Sequence, residues 1–291
     1  STGTSSNVDI YNNTIALSMT TAYTSTLAGI DNAMGSTAAS NTVNIYNNNI
    51  QYNNISGVTT GTTIGIRNSA TAAIININGN TVSNTNLSAA TSGTFTGITN
   101  TASATTVNVF SNLVNGNTLN GTGTFNGIIG GSATNLNIYS NNVYGNTKTG
   151  ASGTLNCITA STALVTFHSN NIYNNSIPTT TGTSSGSIYG YYNFGSPTSE
   201  TIYNNNIYGL TVAGITSSTA SVVYGMYTNT TAAAVKNIYS NTIRDLTISS
   251  TGGGTIYGLY QALGSPANLY KNNLYNLSAS GTGGIVYGIY V

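Results

Sequence analysis

Few side chains in this sequence could carry acid–base or metal chemistry. Its 291 residues include five Lys and Arg, one His and one Cys, and the only acids are Asp9, Asp31, Glu200 and Asp245. No two of these acids share a position in the repeats described below. The sequence therefore does not predict the paired carboxylates of a glycosidase or the carboxylate cluster of a calcium site. We expect no catalytic residue, no metal site, no cofactor and no enzymatic activity.

The single His and the single Cys each have a structural explanation. His168 occupies a repeat position that Tyr139 and Tyr203 hold in the neighbouring units, which predicts a stack of outward-facing rings. A catalytic or metal-binding role would need partner side chains that the sequence does not supply. Cys157 replaces a Gly in a repeated step, which predicts a small buried thiol, and a disulfide to a second chain is the alternative.

The composition excludes several classes of partner. Only 3% of the residues are charged and the formal net charge is +1, which does not fit the basic surface of a nucleic-acid-binding protein. No apolar stretch approaches the roughly 20 residues of a membrane-spanning helix. Hydrophobic residues make up 39% of the chain, enough for a core. The chain begins at Ser1, as expected for a mature product or an excised segment.

A repeat organises the whole chain, and its most regular feature is an Asn that we call the anchor. The segment VNIYNNNI at 43–50 returns at 136–143 as LNIYSNNV, and successive anchors are 29 to 36 residues apart. An apolar residue stands three positions before every anchor and an aliphatic residue two positions after it. The anchors are Asn13, Asn48, Asn80, Asn112, Asn141, Asn170, Asn205, Asn241 and Asn272.

A second motif follows each anchor after 15 to 20 residues, and it has the form apolar-x-Gly-apolar. Cys157 takes the Gly position in the fifth unit. The apolar residues are mostly β-branched, and a helical period is missing, so the units are predicted to be strands joined by turns. The Gly positions are Gly29, Gly65, Gly97, Gly127, Gly190, Gly225, Gly258 and Gly288.

One unit of about 32 residues has too little core to fold alone, whereas stacked units bury a continuous apolar column. In-register stacking also explains the low charge, because like charges about 5 Å apart repel by about 1 kcal/mol even in water. Asn can instead hydrogen-bond to the Asn of the next unit. We therefore predict a ladder of anchor side chains. Asn also tolerates the left-handed conformation of a sharp turn, which we expect at the anchors.

Other residues support the same alignment. Asp31 and Arg67 share one position on consecutive units, and Glu200 and Lys236 share another, so we predict two ion pairs between units. A second, outward ladder is predicted four residues before the anchors, at Asp9, Asn44, Asn76, Asn108, Asn137, Asn237 and Asn268.

The unit N-[IV]-Y-[NS]-N-x-[IV], seen at 44–50 as NIYNNNI, resembles the coils of right-handed parallel β-helix proteins, the pectate-lyase-like superfold. It is most similar to the Asn/Thr/Gly-rich repeats of secreted bacterial surface and filament proteins. The resemblance covers the whole chain and implies an all-β fold, a right-handed parallel β-helix of nine coils in one domain, 1–291. The acidic clusters of the superfold's polysaccharide-cleaving members do not carry over to any residue here.

Tyrosine is concentrated in the second half of the chain, where 15 of the 21 Tyr follow residue 170. The last four units repeat a Tyr-Gly-x-Tyr step, which predicts two rows of rings on one face. One interpretation is self-stacking that stabilises the solenoid, and the other is a contact strip for sugars or a neighbouring protein. The rows comprise Tyr189, Tyr192, Tyr224, Tyr227, Tyr257, Tyr260, Tyr287 and Tyr290.

The pattern favours an extracellular or cell-surface structural protein. Neither terminal unit carries a capping element, and an open sheet edge templates further strands. The expected partner is therefore the chain itself, either as identical copies stacked head to tail or as a continuation of a longer chain. The alternative is a carbohydrate-binding surface protein that uses the Tyr rows. We expect no nucleic acid and no membrane span.

Overall fold

The computed structural model describes residues 7–36, 40–150, 153–161, 164–178, 185–215, 221–229, 235–262 and 267–291. Every regular element in these ranges is a β-strand, which confirms the predicted all-β class. Since the described ranges include no helix, they also include none that could cross a membrane. The strands form three sheets, which the chain visits in the same order in every repeat.

The first sheet contains nine parallel strands, one from each repeat. These strands carry the apolar residue that stands three positions before the anchor. They are Asn7–Tyr11 (β1), Thr42–Tyr46 (β4), Ala72–Asn78 (β7), Ala104–Phe110 (β11), Ala133–Tyr139 (β15), Leu164–His168 (β19), Ser199–Tyr203 (β23), Val235–Tyr239 (β27) and Ala267–Tyr270 (β30).

The second sheet has 14 strands, because a bend divides the segment after the anchor into two short strands in most repeats. They are Thr14–Met19 (β2), Asn49–Ile55 (β5), Thr81–Ser83 (β8), Asn86–Leu87 (β9), Leu113–Asn115 (β12), Thr118–Leu119 (β13), Asn142–Tyr144 (β16), Thr147–Lys148 (β17), Asn171–Tyr173 (β20), Ser176–Ile177 (β21), Asn206–Tyr208 (β24), Thr211–Ile215 (β25), Thr242–Ser250 (β28) and Asn273–Ser280 (β31).

The third sheet again contains nine strands, and these carry the Gly step. They are Thr26–Asn32 (β3), Thr62–Asn68 (β6), Thr94–Asn100 (β10), Phe125–Ile129 (β14), Gly153–Ala160 (β18), Gly186–Asn193 (β22), Val222–Asn229 (β26), Gly254–Ala262 (β29) and Gly284–Tyr290 (β32).

Equivalent residues of successive repeats are paired in parallel, as Ile45 is with Ile77 and Val109 is with Ile138. Nine stacked strands are separated by eight turns of the chain. The fold is therefore a parallel β-solenoid, as the repeat predicted. We call one repeat a coil, and neighbouring coils lie about 4.8 Å apart, as paired strands do.

The core is a set of apolar columns that run through the coils. Ile45, Ile77, Val109 and Ile138 form one of them, and all four are fully buried. Burying each such side chain stabilises the fold by about 1.5–3 kcal/mol relative to leaving it exposed. In the first sheet the inward positions alternate with outward Asn, Thr or aromatic residues, as in Thr42–Tyr46 and Leu164–His168, which is the strand period of two.

Candidate functional site: polar ladders and aromatic columns

The anchor Asn side chains are hydrogen-bonded from each coil to the next. Asn112 donates from both its backbone N–H and its Nδ2 to Asn141 Oδ1, at 3.0 Å each. Its Nδ2 also donates to the carbonyl of Ile77 in the preceding coil, at 2.8 Å. The Nδ2-to-Oδ1 bond recurs at all eight steps from Asn13 to Asn272. The predicted asparagine ladder is confirmed.

The expected conformation of the anchors was wrong. The left-handed backbone conformation occurs one residue earlier in every coil, as at Ser140 and Asn204, each with φ 55°. The earlier residue makes the turn, which leaves the anchor amide free to face inward and bond along the rod. The nine residues are Asn12, Asn47, Gly79, Ser111, Ser140, Ser169, Asn204, Ser240 and Lys271.

Further ladders run parallel to the anchors, among them a buried one of Asn32, Asn68 and Asn100. The predicted outward ladder is present where Asn is present, as in Asn76 Nδ2 to Asn44 Oδ1 at 2.8 Å. Another buried ladder, which we did not predict, links Asn117, Asn146 and Asn175 by Nδ2-to-Oδ1 bonds of 3.0 and 2.9 Å. In the sequence this ladder appears as an Asn five residues after the anchor, directly preceded by a Gly or an Asn. In the structure that preceding residue has a positive φ.

Arg67 and Asp31 form one ion pair between adjacent coils. Arg67 Nε donates to Asp31 Oδ1 at 2.8 Å, and the guanidinium also pairs with Oδ2. The side chains are 30% and 40% exposed. Hydrogen bonding from Arg67 lowers the pKa of Asp31.

We expect Asp31→Asn to lower the free energy of unfolding by less than about 1 kcal/mol near neutral pH, because exposed ion pairs stabilise weakly. The folded-state pKa of Asp31 lies below its unfolded value. Its contribution is therefore present above about pH 4 and is lost as the pH falls through the lower folded-state pKa. Urea unfolding of both proteins in neutral and strongly acidic buffer checks this. A difference that persists in acid would contradict it.

Glu200 and Lys236 lie on adjacent coils in a very different setting. Lys236 Nζ is 3.7 Å from Glu200 Oε2, and both side chains are fully buried. They point into the solenoid rather than along its surface. Tyr191 Oη donates to Glu200 Oε1 at 2.7 Å, and Asn193 Nδ2 donates to the same oxygen at 2.8 Å. Sequence analysis predicted the pair but not its burial.

The predicted Tyr rows form two stacked columns on the outer face of the third sheet. In one column Tyr189, Tyr224, Tyr257 and Tyr287 follow one another at ring-centroid distances of 4.8, 4.9 and 5.1 Å. In the other column Tyr227, Tyr260 and Tyr290 stack at 4.8 and 5.1 Å, and these rings stand edge-on to the first column, as the 86° between Tyr224 and Tyr227 shows. Tyr192, at the start of this column, instead stacks against Tyr189 and meets Tyr227 edge-on. We call these eight residues the tyrosine array.

Two other aromatic columns lie on the remaining faces. His168 stacks between Tyr139 and Tyr203 at 5.0 and 4.7 Å, in the ring stack expected for it. Burial lowers the pKa of His168, so the ring is neutral at pH 7. The other column, Tyr144, Tyr173 and Tyr208, was not predicted; Arg244 lies 4.0 Å from the ring centroid of Tyr208.

The tyrosine array should make the protein sensitive to alkali. Burial and the neighbouring tyrosines raise the pKa of Tyr189 to about 12 and also raise that of Tyr224. The unfolded chain has an ordinary tyrosine pKa of about 10, so the free energy of unfolding should fall as the pH rises above 10. Thermal unfolding followed together with tyrosinate absorbance checks this. The double variant Tyr189→Phe/Tyr224→Phe keeps the rings and should show a smaller fall; an equal fall would contradict the assignment.

The remaining candidate residues show no arrangement for chemistry. Cys157 is a free, fully buried thiol whose pKa burial raises. In the parts of the chain that the structure describes, no three His, Cys, Asp or Glu residues come together as metal ligands would. No family model, curated protein or solved structure matches the chain, so the resemblance to bacterial surface repeats is supported by the repeat motif alone.

Proposed function

We propose that this chain is a non-enzymatic structural rod that works outside the cell, as a subunit or segment of a surface fibre or adhesin stalk. The observation that carries the proposal is the anchor ladder, which continues through every coil. Each coil is joined to the next by the backbone pairing of three sheets and by this ladder. Such a stack suits a load-bearing spacer better than a catalyst, which needs a concave site with converging polar groups.

The small number of accessible protease sites supports an extracellular role. The chain offers only five Lys and Arg as sites for trypsin-like proteases, and Lys148 and Lys236 are fully buried. The buried anchors replace charged groups with hydrogen-bonded amides, so the rod depends little on salt or on moderate changes of pH.

The last coil leaves two inward column positions open to solvent. Val286 and Ile289 are 43% and 49% exposed, whereas Ile256 and Leu259, their partners in the preceding coil, are fully buried. Another coil of the same register would cover these positions. We propose that such coils extend the rod, supplied by a second copy or by further repeats in the same polypeptide.

Negative-stain electron microscopy and light scattering of the 291-residue chain over a range of concentrations test the proposal. We expect short rods that join end to end as the concentration rises. Ile289→Lys places a charge on the open edge and should give single rods, whereas Val58→Lys changes an exposed residue away from that edge and should still join. Compact particles would contradict the rod, and single rods at every concentration would contradict joining by second copies.

Glycan binding by the tyrosine array is the second candidate. The array is outward and places two phenol groups on each of the last four coils, although each inner ring of the first column has another ring stacked on both sides. A glycan array compares the chain with the triple variant Tyr224→Ala/Tyr257→Ala/Tyr287→Ala, with Tyr139→Ala in another column as the control. Binding that only the triple variant loses would support this function, and no binding at all would contradict it.

A further inference from the structure

Three polar side chains interrupt the apolar columns at a single corner of the solenoid. Glu200 and Lys236 occupy a first-sheet column that Val165 holds in the preceding coil, and Tyr191 occupies a third-sheet column that Ile158 holds. All three are fully buried. Charged residues are rarely fully buried, and an ion pair buried in this way is weak evidence for stability. Their joint presence at one corner therefore suggests a chemical role.

The Glu200 carboxyl lies between an amide and an amine. Its Oε1 accepts from Asn193 Nδ2 at 2.8 Å, and Tyr191 Oη fixes the same oxygen at 2.7 Å. Its Oε2 faces Lys236 Nζ at 3.7 Å, beyond hydrogen-bond length, and has no hydrogen-bond partner among the described residues. The carboxyl thus lies between the two groups, hydrogen-bonded to the amide and close to the amine.

The amine and the amide lie one turn of the chain apart at this corner, where a third-sheet strand leads into the first-sheet strand of the next coil. Lys236 Nζ donates to Thr228 Oγ1 at 2.9 Å, and Thr228 is the strand partner of Asn193 in the next coil. Paired strands are about 4.8 Å apart, so the amine and the amide are about one strand spacing apart, with the Glu200 carboxyl between them. The amide oxygen is held by the backbone N–H of Gly195, which donates to Asn193 Oδ1 at 2.9 Å. This donor can stabilise negative charge on that oxygen.

Burial also favours the uncharged forms that the chemistry needs. Desolvation raises the pKa of Glu200 and lowers the pKa of Lys236. Transfer of one proton from the ammonium to the carboxylate gives a neutral amine, which is the nucleophilic form, beside a neutral carboxylic acid.

We propose that Lys236 and Asn193 join in an intramolecular amide cross-link, with Glu200 as the proton shuttle. Lys236 Nζ attacks Asn193 Cγ, and a new Nζ–Cγ bond forms while charge develops on Oδ1. Glu200 accepts a proton from Nζ through Oε2 and gives a proton to Nδ2 through Oε1. The Cγ–Nδ2 bond then breaks, ammonia leaves, and the carboxylic acid is restored. The reaction uses only these side chains and needs no oxidant or cofactor.

The cross-link would join the third-sheet strand β22 to the first-sheet strand β27, one full turn further along the chain. It therefore ties successive turns of the chain together covalently, which backbone pairing alone does not do. This inference goes beyond the proposed rod function and does not depend on it.

Mass spectrometry of the folded, full-length chain tests the proposal without any variant. We expect an intact mass lower than the sequence mass by one ammonia. After denaturation, trypsin should cut after Arg67, Lys148, Arg244 and Lys271 but not after Lys236, because its amine is acylated. The tryptic digest should contain the peptide 149–244 with its mass lower by one ammonia. Lys148, which is also buried in the folded chain, is the internal control that denaturation has made buried lysines accessible to trypsin.

Two variants distinguish the role of Lys236 as the nucleophile from that of Glu200 as the proton shuttle. Lys236→Arg cannot form the amide and should show the full sequence mass, with cleavage after the new arginine. Glu200→Gln keeps the size of the side chain but removes the shuttle, so it should show the full mass and cleavage after Lys236. The unmodified mass for the unaltered chain would overturn the proposal. Loss of ammonia with normal cleavage after Lys236 would also overturn it, because that result indicates a cyclised Asn elsewhere.

Discussion

Asn141→Ala is expected to lower the free energy of unfolding by about 2–5 kcal/mol, because it removes the middle of the anchor ladder. Asn141 Oδ1 accepts from the backbone N–H and the Nδ2 of Asn112. Its own Nδ2 donates to the carbonyl of Val109 and to Asn170 Oδ1. The substitution leaves the Asn112 N–H buried without its acceptor, and an unsatisfied buried donor is destabilising by about 1–3 kcal/mol. Denaturant unfolding measures the change.

Asn137→Ala is the matched control, because the same truncation is made in the same coil. Asn137 belongs to the outward ladder and donates one bond, to Asn108 Oδ1 at 2.8 Å, in a partly exposed position. Water can replace that bond, so we expect a loss of less than about 1 kcal/mol. Equal losses for the two variants would show that burial of the anchor amide does not account for its importance.

Asn141→Asp tests the same prediction through the pH dependence of the free energy of unfolding. The new carboxyl would face the oxygens of Val109 and Asn170, so burial and repulsion should raise its pKa, and only its neutral form has a proton to donate. The unfolded state then releases its proton first, and the free energy of unfolding should fall as the pH rises above about 4. Unfolding curves at a series of pH values measure this slope, and a variant no more pH-dependent than the unaltered chain would contradict it.

Much of the fold could be predicted because equivalent residues of successive coils occupy the same environment. A residue such as Ile77 must suit the same environment as Ile45 and Val109, so position relative to the anchor determined both pairing and orientation. The ladders followed from hydrogen-bonding chemistry. The turn conformation did not, because Asn is compatible with a positive φ at two adjacent positions, and only the structure assigns it to Asn47 rather than Asn48.

The buried corner shows where the sequence reasoning failed. Glu200 and Lys236 stand five residues before their anchors, at a position that Val43, Ile75 and Val107 fill in other coils. The strand period of two places this position inside, so the information was present in the sequence. It was overlooked because a charged pair suggests a solvent-exposed surface. The contacts with Asn193 and Tyr191 could not have been found, since they depend on how the chain turns between two sheets.

Gly97→Ala is expected to lower the free energy of unfolding by about 1–3 kcal/mol, since it adds a methyl group where neighbouring coils are in close contact. A Cβ at this position would lie 2.5 Å from the carbonyl oxygen of Gly127 and 2.8 Å from Val114 Cγ1. The carbonyl belongs to the next strand of the third sheet and can move only by disturbing that pairing. Cys157 stands at the same step, so a coil can accommodate a small side chain when its neighbours adjust.

Gly288→Ala makes the same change at the same step of the last coil, where a new Cβ would have no atom within 4 Å. Its effect should therefore stay within about 0.5 kcal/mol. Thermal and urea unfolding of the two variants measure the difference. If both substitutions were equally harmful, contact between coils would not be the cause, because the added methyl group of Gly288→Ala meets no neighbouring atom. If both were harmless, the Gly step would not limit how closely the coils pack, and its recurrence would need another explanation.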